Sequence, residues 1–179
     1  MKIPNSIKCI FIMTAIICSN GCIDSHENEN SNDTYSLVNL GDSIPDFSVK
    51  LSDGTTCTNA MLKENVSVIV FFNTDCPDCQ KELPIINAAY ESFKPNSDFK
   101  IIAIAREENA DSIKSYWQSH DLSIPYSPQN DKMIYSKFAT QRIPRIYISN
   151  KRNIVTSKFF DEEMPTISTL ESAIKAAYM

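Results

Sequence analysis

Residues 66–82 read VSVIVFFNTDCPDCQKE, an apolar run that leads directly into a pair of cysteines. The run is rich in β-branched and aromatic residues, which is typical of a strand covered on both faces of a sheet. Pro77 lies between the cysteines and suits the first turn of a helix, where its missing N–H would have no partner. The pattern predicts a central strand followed at once by a helix, with Cys76 at their junction.

Further strands and helices alternate on either side of this unit. Upstream, alternating apolar residues at 47, 49 and 51 are followed by the turn signal Asp53-Gly54, which predicts a hairpin. Downstream we expect a buried strand at Phe99–Ala105, a helix at Ala110–Ser119, a strand at 143–149 and an antiparallel return at 154–160. This order predicts an α/β fold, with a mixed central sheet flanked by helices and an N-terminal β-hairpin extension.

Two shorter helices complete the predicted pattern. Residues 130–139 are expected to form a short helix with Met133, Ile134 and Phe138 facing inward. A capping box of Ser168 and Glu171 predicts the start of a last helix that runs through Tyr178.

Composition excludes several classes of function. The chain has 179 residues with 42% hydrophobic content, enough for one domain with a core of its own. It contains only three glycines, so a glycine-rich phosphate loop is absent from the sequence. The formal net charge of -5 and the lack of a basic cluster argue against a nucleic-acid partner.

The N-terminus has the pattern of a targeting segment. Lys2 and Lys8 precede an apolar run that ends at residue 17, well short of the ~20 residues that a membrane span needs. The run is followed by Gly21 and Cys22, which resemble the cleavage box of bacterial lipoproteins. We therefore expect residues 1–21 to be a lipoprotein signal peptide and Cys22 to be lipidated, anchoring the protein in the bilayer. An ordinary cleaved signal with an unmodified Cys22 remains the alternative, because the box matches only in part.

The residues after Cys22 are polar and acidic, with little to bury. We expect residues 22–39 to form the lipid anchor and a disordered tether, and residues 40–179 to form the folded domain. This arrangement predicts a lipid-anchored protein of the cell envelope that faces the periplasm, on either the inner or the outer membrane.

The cysteines of the folded part are Cys57, Cys76 and Cys79, too few for a disulfide scaffold. A cysteine at a helix N-terminus faces unpaired N–H groups and the positive end of the helix dipole, which favour the thiolate. Cys76 is thus the expected nucleophile, and Cys79, one turn further on, can displace a bound partner. A metal-binding pair is the weaker interpretation, since His26 and His120 are the only histidines. An inert structural bridge is a third.

The motifs taken in order resemble the thioredoxin superfamily, and within it the membrane-tethered thiol-disulfide reductases of the TlpA and ResA kind. Those reductases share their leading strands with the peroxiredoxins. The resemblance spans about residues 40–179 and rests on Pro45-Asp46-Phe47, Asp53-Gly54, Phe71-Phe72, Cys76-Pro77-Asp78-Cys79, Glu82, Pro84 and Ile143-Pro144. It implies a thioredoxin-like fold and a catalytic Cys76–Cys79 disulfide, with no bound cofactor or metal.

The resemblance also assigns roles around the cysteines. Glu82, three residues after Cys79 and on the same helix face, is expected to assist proton transfer. An exposed helical glutamate is the alternative. Pro144 is expected to be cis, with Ile143, Pro144 and Pro77 contacting the client protein. Without the resemblance, a trans Pro144 would be the default.

The sequence and the resemblance also predict the direction of electron flow and the redox partners. Asp75 and Asp78 flank Cys76 and disfavour a neighbouring thiolate, which predicts a reductant. The alternative is that both carboxylates are simply solvated. By resemblance, electrons come from a membrane thiol carrier of the DsbD or CcdA kind and pass to disulfide-bearing client proteins.

Two other functions compete with this interpretation. A thiol peroxidase of peroxiredoxin type is disfavoured because Thr74 lies two residues before the cysteine, where peroxiredoxins have threonine three before. A copper-binding or interaction module using the cysteine pair is the remaining alternative. Cys57 is expected to be a buried, apolar residue. Arg106, which follows a buried strand, is either a surface charge or a residue near the site, and the sequence does not distinguish the two.

Overall fold

The computed structural model describes residues 33–179, which form one unit. Its sheet has five strands in the order β5-β4-β3-β6-β7. The elements in chain order are β1 Ser48–Lys50, β2 Thr56–Thr58, α1 Asn59–Leu62, β3 Val66–Phe72, α2 Pro77–Phe93, β4 Phe99–Ala105, α3 Ala110–Ser119, β5 Tyr126–Ser127, a 3-10 turn at Tyr135–Lys137, β6 Arg145–Ser149, β7 Val155–Phe160 and α4 Ile167–Ala176.

Strand β3 is the centre of the sheet, as its sequence predicts. All of its residues are buried, and it pairs with β4 in parallel and with β6 in antiparallel fashion. Its alternate residues enter two different cores. Val68 and Phe72 pack with the buried residues of α2, α3 and α4, whereas Ile69 and Phe71 pack with the hairpin and the segment before β6.

Helix α2 begins at Pro77, with Cys76 as its N-cap. Its buried residues include Cys79, Glu82, Leu83 and Ile86, a spacing that forms one stripe along the helix. The stripe faces the sheet, so both Cys79 and Glu82 are turned into the protein rather than toward solvent. Pro84 lies inside the helix.

The predicted hairpin is confirmed as the antiparallel pair of β1 and β2. Gly54 has a φ of 85°, which favours glycine at this turn, and the carboxylate of Asp53 accepts from the N–H and the hydroxyl of Thr55. Val49 of β1 and Cys57 of β2 are buried and pack with Ile69 and Phe71 of β3, so the hairpin covers one face of the sheet.

The segment before residue 40 differs from the expected tether. Val38 is buried, the N–H groups of Leu37 and Val38 donate to the carbonyl of Phe138, and Thr140 N–H donates to the carbonyl of Tyr35. The described residues 33–39 therefore lie on the domain, because apolar and ionic contacts outweigh the polar composition that predicted disorder. The predicted signal peptide at 1–21, Cys22 and the tether up to residue 32 lie outside the described residues.

Two local predictions were wrong. Residues 130–139 form only the 3-10 turn at Tyr135–Lys137, and the side chain of Met133 is exposed. The rings of Tyr135 and Phe138 both pack against Phe71, the first edge-on and the second tilted, and their three-residue spacing suits a 3-10 turn better than an α-helix.

The start of the last helix was also misplaced. Thr166, not Ser168, is the N-cap of α4, and its hydroxyl accepts from Thr169 N–H at 3.2 Å. Glu171 instead pairs with Lys175 one turn further along the helix. Within residues 33–179 the helices are all too short or too polar to cross a bilayer.

Candidate active site

Cys76 lies at the junction of the central strand and α2. The Cys76 thiol donates to the carbonyl of Ile143, with sulfur and oxygen 3.6 Å apart, and its sulfur accepts from Cys79 N–H at 3.5 Å. Cys76 is partly exposed, and the neighbouring Pro77 is exposed. The structure thus brings three of the predicted site residues, Cys76, Cys79 and Ile143, into direct contact. The peptide bond between Ile143 and Pro144 is cis, as the resemblance implied.

Cys79 is the buried member of the pair, with 0% of its surface exposed. Burial raises the pKa of its thiol well above the ordinary value, and the contact with Cys76 raises this pKa further. Cys79 therefore carries its proton at neutral pH and requires a base before it can act as a nucleophile. Both cysteines are free thiols here.

Glu82 is a buried carboxylic acid. It is 0% exposed, and neither carboxylate oxygen has a hydrogen-bond partner among the described residues. Burial raises its pKa to about 7. The alternative of an exposed helical glutamate is thus wrong. A carboxyl group with this pKa exchanges a proton readily at neutral pH, on the same helix face as Cys79.

The two acids beside Cys76 differ in their surroundings. Asp75 is exposed and its N–H donates to the side chain of Asn73 at 2.8 Å. Asp78 forms an ion pair with Lys81 at 2.9 Å, on the outer side of the first helical turn. The negative charge of Asp78 is therefore partly offset, while that of Asp75 is not offset by an ion pair among the described residues.

Sequence reasoning missed the residue that holds the loop before Cys76. The buried carboxylate of Glu108 accepts from the N–H of Thr74 at 2.8 Å and also from the Thr74 hydroxyl. The carbonyl of Thr74 accepts from the side chain of Gln80 at 2.6 Å. Since β4 runs parallel to β3, a residue just after β4 lies beside the loop after β3. The glutamate shortly after the predicted strand at Phe99–Ala105 was the feature of the sequence from which this contact could have been predicted.

Arg106 also lies at this edge of the sheet. Its N–H donates to Phe72 O, and its carbonyl accepts from the side chain of Asn73 at 3.1 Å. The guanidinium lies over the ring of Tyr135, 4.8 Å from its centroid. Arg106 therefore supports the active-site loop through its backbone.

Cys57 is buried in β2, as expected, and burial raises the pKa of its thiol. No cluster of three or more metal-ligating side chains occurs within residues 33–179.

Comparison with known proteins adds the family. A sequence model of the AhpC/TSA family matches residues 40–158. The thiol-disulfide oxidoreductase ResA of Bacillus cereus is 25% identical over 126 residues, which cover 70% of this chain and 72% of the relative. A solved structure from Bacteroides thetaiotaomicron, assigned as a protein disulfide isomerase, aligns with a TM-score of 0.72 and 23% identity over 79% of this chain and 89% of that one. A thioredoxin-family thiol:disulfide interchange protein from Chlorobium tepidum aligns with a TM-score of 0.66 and 20% identity, over 78% and 97% of the two chains.

The fold and the cysteine-bearing junction define a thioredoxin-like protein, which confirms the predicted fold class. The chain belongs to the AhpC/TSA family. The ResA relatives place it among the TlpA/ResA-like members of the thioredoxin superfamily, and the prediction of a thiol-disulfide oxidoreductase is confirmed at this level.

Proposed function

We propose that this protein reduces protein disulfides outside the inner membrane, using Cys76 and Cys79 as its redox pair. One observation carries the proposal: a partly exposed thiol accepts a hydrogen bond at the start of a helix, next to a second thiol that is fully buried. This asymmetry suits an attacking sulfur that meets a client and a resolving sulfur that does not.

In the first step, the thiolate of Cys76 attacks one sulfur of the client disulfide. A bond forms between Cys76 and that sulfur, the client S–S bond breaks, and the departing client thiolate takes up a proton from water. The client is then held as a mixed disulfide. Hydrogen bonds at the helix N-terminus favour the negative charge that Cys76 carries before attack.

In the second step, Cys79 gives up its proton and attacks the sulfur of Cys76. The mixed disulfide breaks, the second client sulfur leaves as a thiolate, and Cys76 and Cys79 become joined. Two electrons have passed to the client. Because burial keeps Cys79 protonated, we assign to Glu82 the role of accepting that proton, which its pKa of about 7 supports.

Client contact is assigned to Ile143, Pro144 and Pro77. Ile143 presents its carbonyl directly to Cys76, and Pro77 is exposed beside it. Pro144 is buried next to Ile143, so a client whose disulfide reaches Cys76 would meet Ile143 and Pro77 first.

The remaining parts of the proposal rest on sequence. The lipoprotein signal at residues 1–21 and the lipid on Cys22 would hold the domain at the periplasmic face of a membrane. A membrane thiol carrier of the DsbD or CcdA kind would return electrons to the Cys76–Cys79 disulfide. The carboxylates of Asp75 and Asp78 favour a reducing pair, because they oppose thiolate stabilisation at Cys76.

The environment of Thr74 disfavours peroxidase chemistry. A hydroxyl that binds peroxide must be free to do so, whereas the Thr74 hydroxyl donates to the buried carboxylate of Glu108. The cysteine pair is therefore better suited to disulfide exchange.

The test is insulin reduction by the full-length protein with a dithiol donor, compared with peroxide turnover and copper binding on the same preparation. We expect insulin reduction that Cys76→Ser abolishes and Cys57→Ala, the matched change at the buried cysteine of β2, leaves within about twofold. Cys79→Ala should accumulate mixed disulfides with client proteins. Peroxide turnover or copper binding without insulin reduction would contradict the proposal.

A further inference from the structure

The loop of residues 141–144, called here the docking loop, carries the carbonyl of Ile143 that faces Cys76. Two of its other carbonyls, those of Gln141 and Arg142, accept hydrogen bonds from side chains outside the loop. The hydroxyl of Tyr135 donates to the carbonyl of Arg142 at 2.5 Å, and Arg142 itself has a φ of 71°, an uncommon backbone conformation for a non-glycine residue. The loop is thus held in place by neighbouring groups rather than by its own backbone preference.

Residues 33–38, called here the brace, lie along the outer side of the docking loop. Ser36 forms a β-bridge with Ala139, and the guanidinium of Arg142 lies over the ring of Tyr35, 5.3 Å from its centroid. The brace is therefore attached to the chain just before the docking loop and to the loop itself.

A buried ion pair links the brace to the strand that follows the docking loop. The guanidinium of Arg145 donates to both carboxylate oxygens of Asp33 at 2.6 and 2.8 Å, and both side chains are 1% exposed. Lys158 lies 3.3 Å from the same carboxylate. Ser36 donates to Asp33 and accepts from Arg145, which completes the network.

The same guanidinium also reaches the docking loop. The Nε of Arg145 donates to the carbonyl of Gln141 at 3.1 Å. The planar guanidinium thus holds Asp33 with its two outer nitrogens and the first residue of the docking loop with its inner one. A lysine could not make all of these bonds at once.

We propose that Asp33 and Arg145 are positioning residues for disulfide reduction: their buried pair orients the docking loop so that the Ile143 carbonyl and Pro144 meet the client beside Cys76. This inference rests on the proposed function. It adds that the client site depends on a segment outside the predicted 40–179 domain. Neither side chain is close enough to solvent to touch a client, so both act through the loop.

The test compares two substrates of the full-length protein. Insulin must dock on the loop, whereas hydroxyethyl disulfide is small enough to reach Cys76 without docking. For Asp33→Asn we expect the KM for insulin to rise by about fivefold, the loss expected for one positioning hydrogen bond, with kcat and the rate with hydroxyethyl disulfide within about twofold. Arg145→Lys should give the same pattern, because it keeps the charge and loses the bond to Gln141.

A matched control separates positioning from general stability. Leu170→Ala leaves a cavity in the core on the other face of the sheet, which contains no residue of the brace. Denaturant midpoints show how closely its stability loss matches that of Asp33→Asn. We expect the insulin KM of Leu170→Ala to stay within about twofold of the wild-type value. Should Asp33→Asn not fold, the paired change of Asp33→Leu and Arg145→Met removes both charges and still removes the bond to Gln141.

Amide hydrogen exchange measures, without any substrate, how firmly the chain at the docking loop is held. The readout is the amide of Thr140, immediately before the loop, whose N–H donates to the carbonyl of Tyr35 at 2.9 Å; its exchange should quicken in Asp33→Asn and not in Leu170→Ala. An unchanged insulin KM in Asp33→Asn, an equal rise in Leu170→Ala, or unchanged exchange at Thr140 would overturn the inference. A wild-type protein that reduces neither disulfide would instead overturn the proposed function, and the exchange result alone would then decide whether the pair orients the loop.

Discussion

Glu82 shows how one buried residue can couple folding to chemistry. Both of its oxygens lack partners among the described residues, so the charged form has no compensation for its lost hydration. The protein therefore favours the protonated acid, and the pKa is raised to about 7 from an ordinary value of 4.5. A proton acceptor near Cys79 is gained at a cost in stability above neutral pH.

This cost predicts how Glu82→Gln changes stability with pH. The folded pKa is higher than the unfolded one, so the stabilising effect of the proton is complete below about pH 4.5 and is lost as pH rises through 7. Glu82→Gln should match the wild type near pH 4 and exceed it by about 3 kcal/mol at pH 8, since each pKa unit corresponds to about 1.4 kcal/mol. Urea unfolding at both pH values measures the difference.

The same variant tests the catalytic role. Release of reduced client should slow by about tenfold or more, and the inflection of its rate near pH 7 should disappear. Glu171→Gln is the matched control, because Glu171 pairs with Lys175 on α4 and should change neither property. A Glu82→Gln protein that keeps the wild-type pH profile of client release would remove Glu82 from the mechanism.

Thr74 provides a second prediction at the residue scale. Thr74→Val keeps the shape of the side chain and removes the hydroxyl that donates to Glu108, so one buried carboxylate oxygen loses its partner. We expect a loss of about 1–3 kcal/mol in the free energy of unfolding and slower alkylation of Cys76, because the loop before it loosens. Thr74→Ser restores the hydroxyl and should restore both values. A loss in Thr74→Ser as large as that in Thr74→Val would contradict the role of the hydroxyl, because the serine variant keeps the group that donates to Glu108.

At the scale of elements, the start of helix α2 sets the chemistry of Cys76. Cys76 is the N-cap of this helix, and the carboxylates of Asp75 and Asp78 flank it in the sequence. We propose that the balance between the helix dipole and these two negative charges determines how strongly the pair reduces its clients.

Removing the opposing charge should therefore make the pair more oxidising. Asp75→Asn should raise the reduction potential of the Cys76–Cys79 couple, and Asp78→Asn should raise it less, because Lys81 already offsets that charge. Equilibration with glutathione buffers, followed by alkylation, measures both. Asp98→Asn serves as the control, since Asp98 pairs with Lys151 and precedes β4 at the opposite end of the strand from the site. A potential that does not move in Asp75→Asn would support the alternative that the acids are merely solvated.

The elements that sequence predicted well are those with a strong local pattern. The β-branched run of β3, the turn at Asp53-Gly54 and the proline after Cys76 each determine a conformation over a few residues. The elements predicted wrongly depend on distant partners. The 3-10 turn at Tyr135–Lys137 places the rings of Tyr135 and of Phe138, its C-cap, against Phe71, a contact that no local spacing reveals.

The candidate site divides in the same way. The cysteine pair and Glu82 lie within one helix, so their spacing indicated their common face. Glu108 meets Thr74 only because β3 and β4 are adjacent, and Asp33 meets Arg145 across most of the chain. Single-sequence reasoning contained no signal for the latter pair, because polar composition predicted that residue 33 would be part of a tether.

At the scale of the whole molecule, the brace predicts where the stable unit begins. Deletion of residues 33–39 should lower the free energy of unfolding by about 3 kcal/mol or more, because Arg145 would remain buried without its carboxylate. Deletion of the equally long segment 24–30 is the control and should leave this free energy within about 0.5 kcal/mol. Equal stability of the two deletion variants would contradict a structural role for the brace.

If the protein is anchored through a lipid on Cys22, as we propose, the ion pair at Asp33 also limits how far the domain can move from the membrane. With lipid on Cys22, only residues 23–32 would separate the membrane from a fixed point on the domain, which allows a reach of roughly 35–40 Å at full extension. The active site would then reach only disulfides close to the membrane surface, and disulfides farther from the membrane would not be reduced. Inserting residues between Cys22 and Asp33 should increase the number of proteins captured by Cys79→Ala. Breaking the ion pair between Asp33 and Arg145 should both lengthen the flexible connection to the membrane and loosen the docking loop.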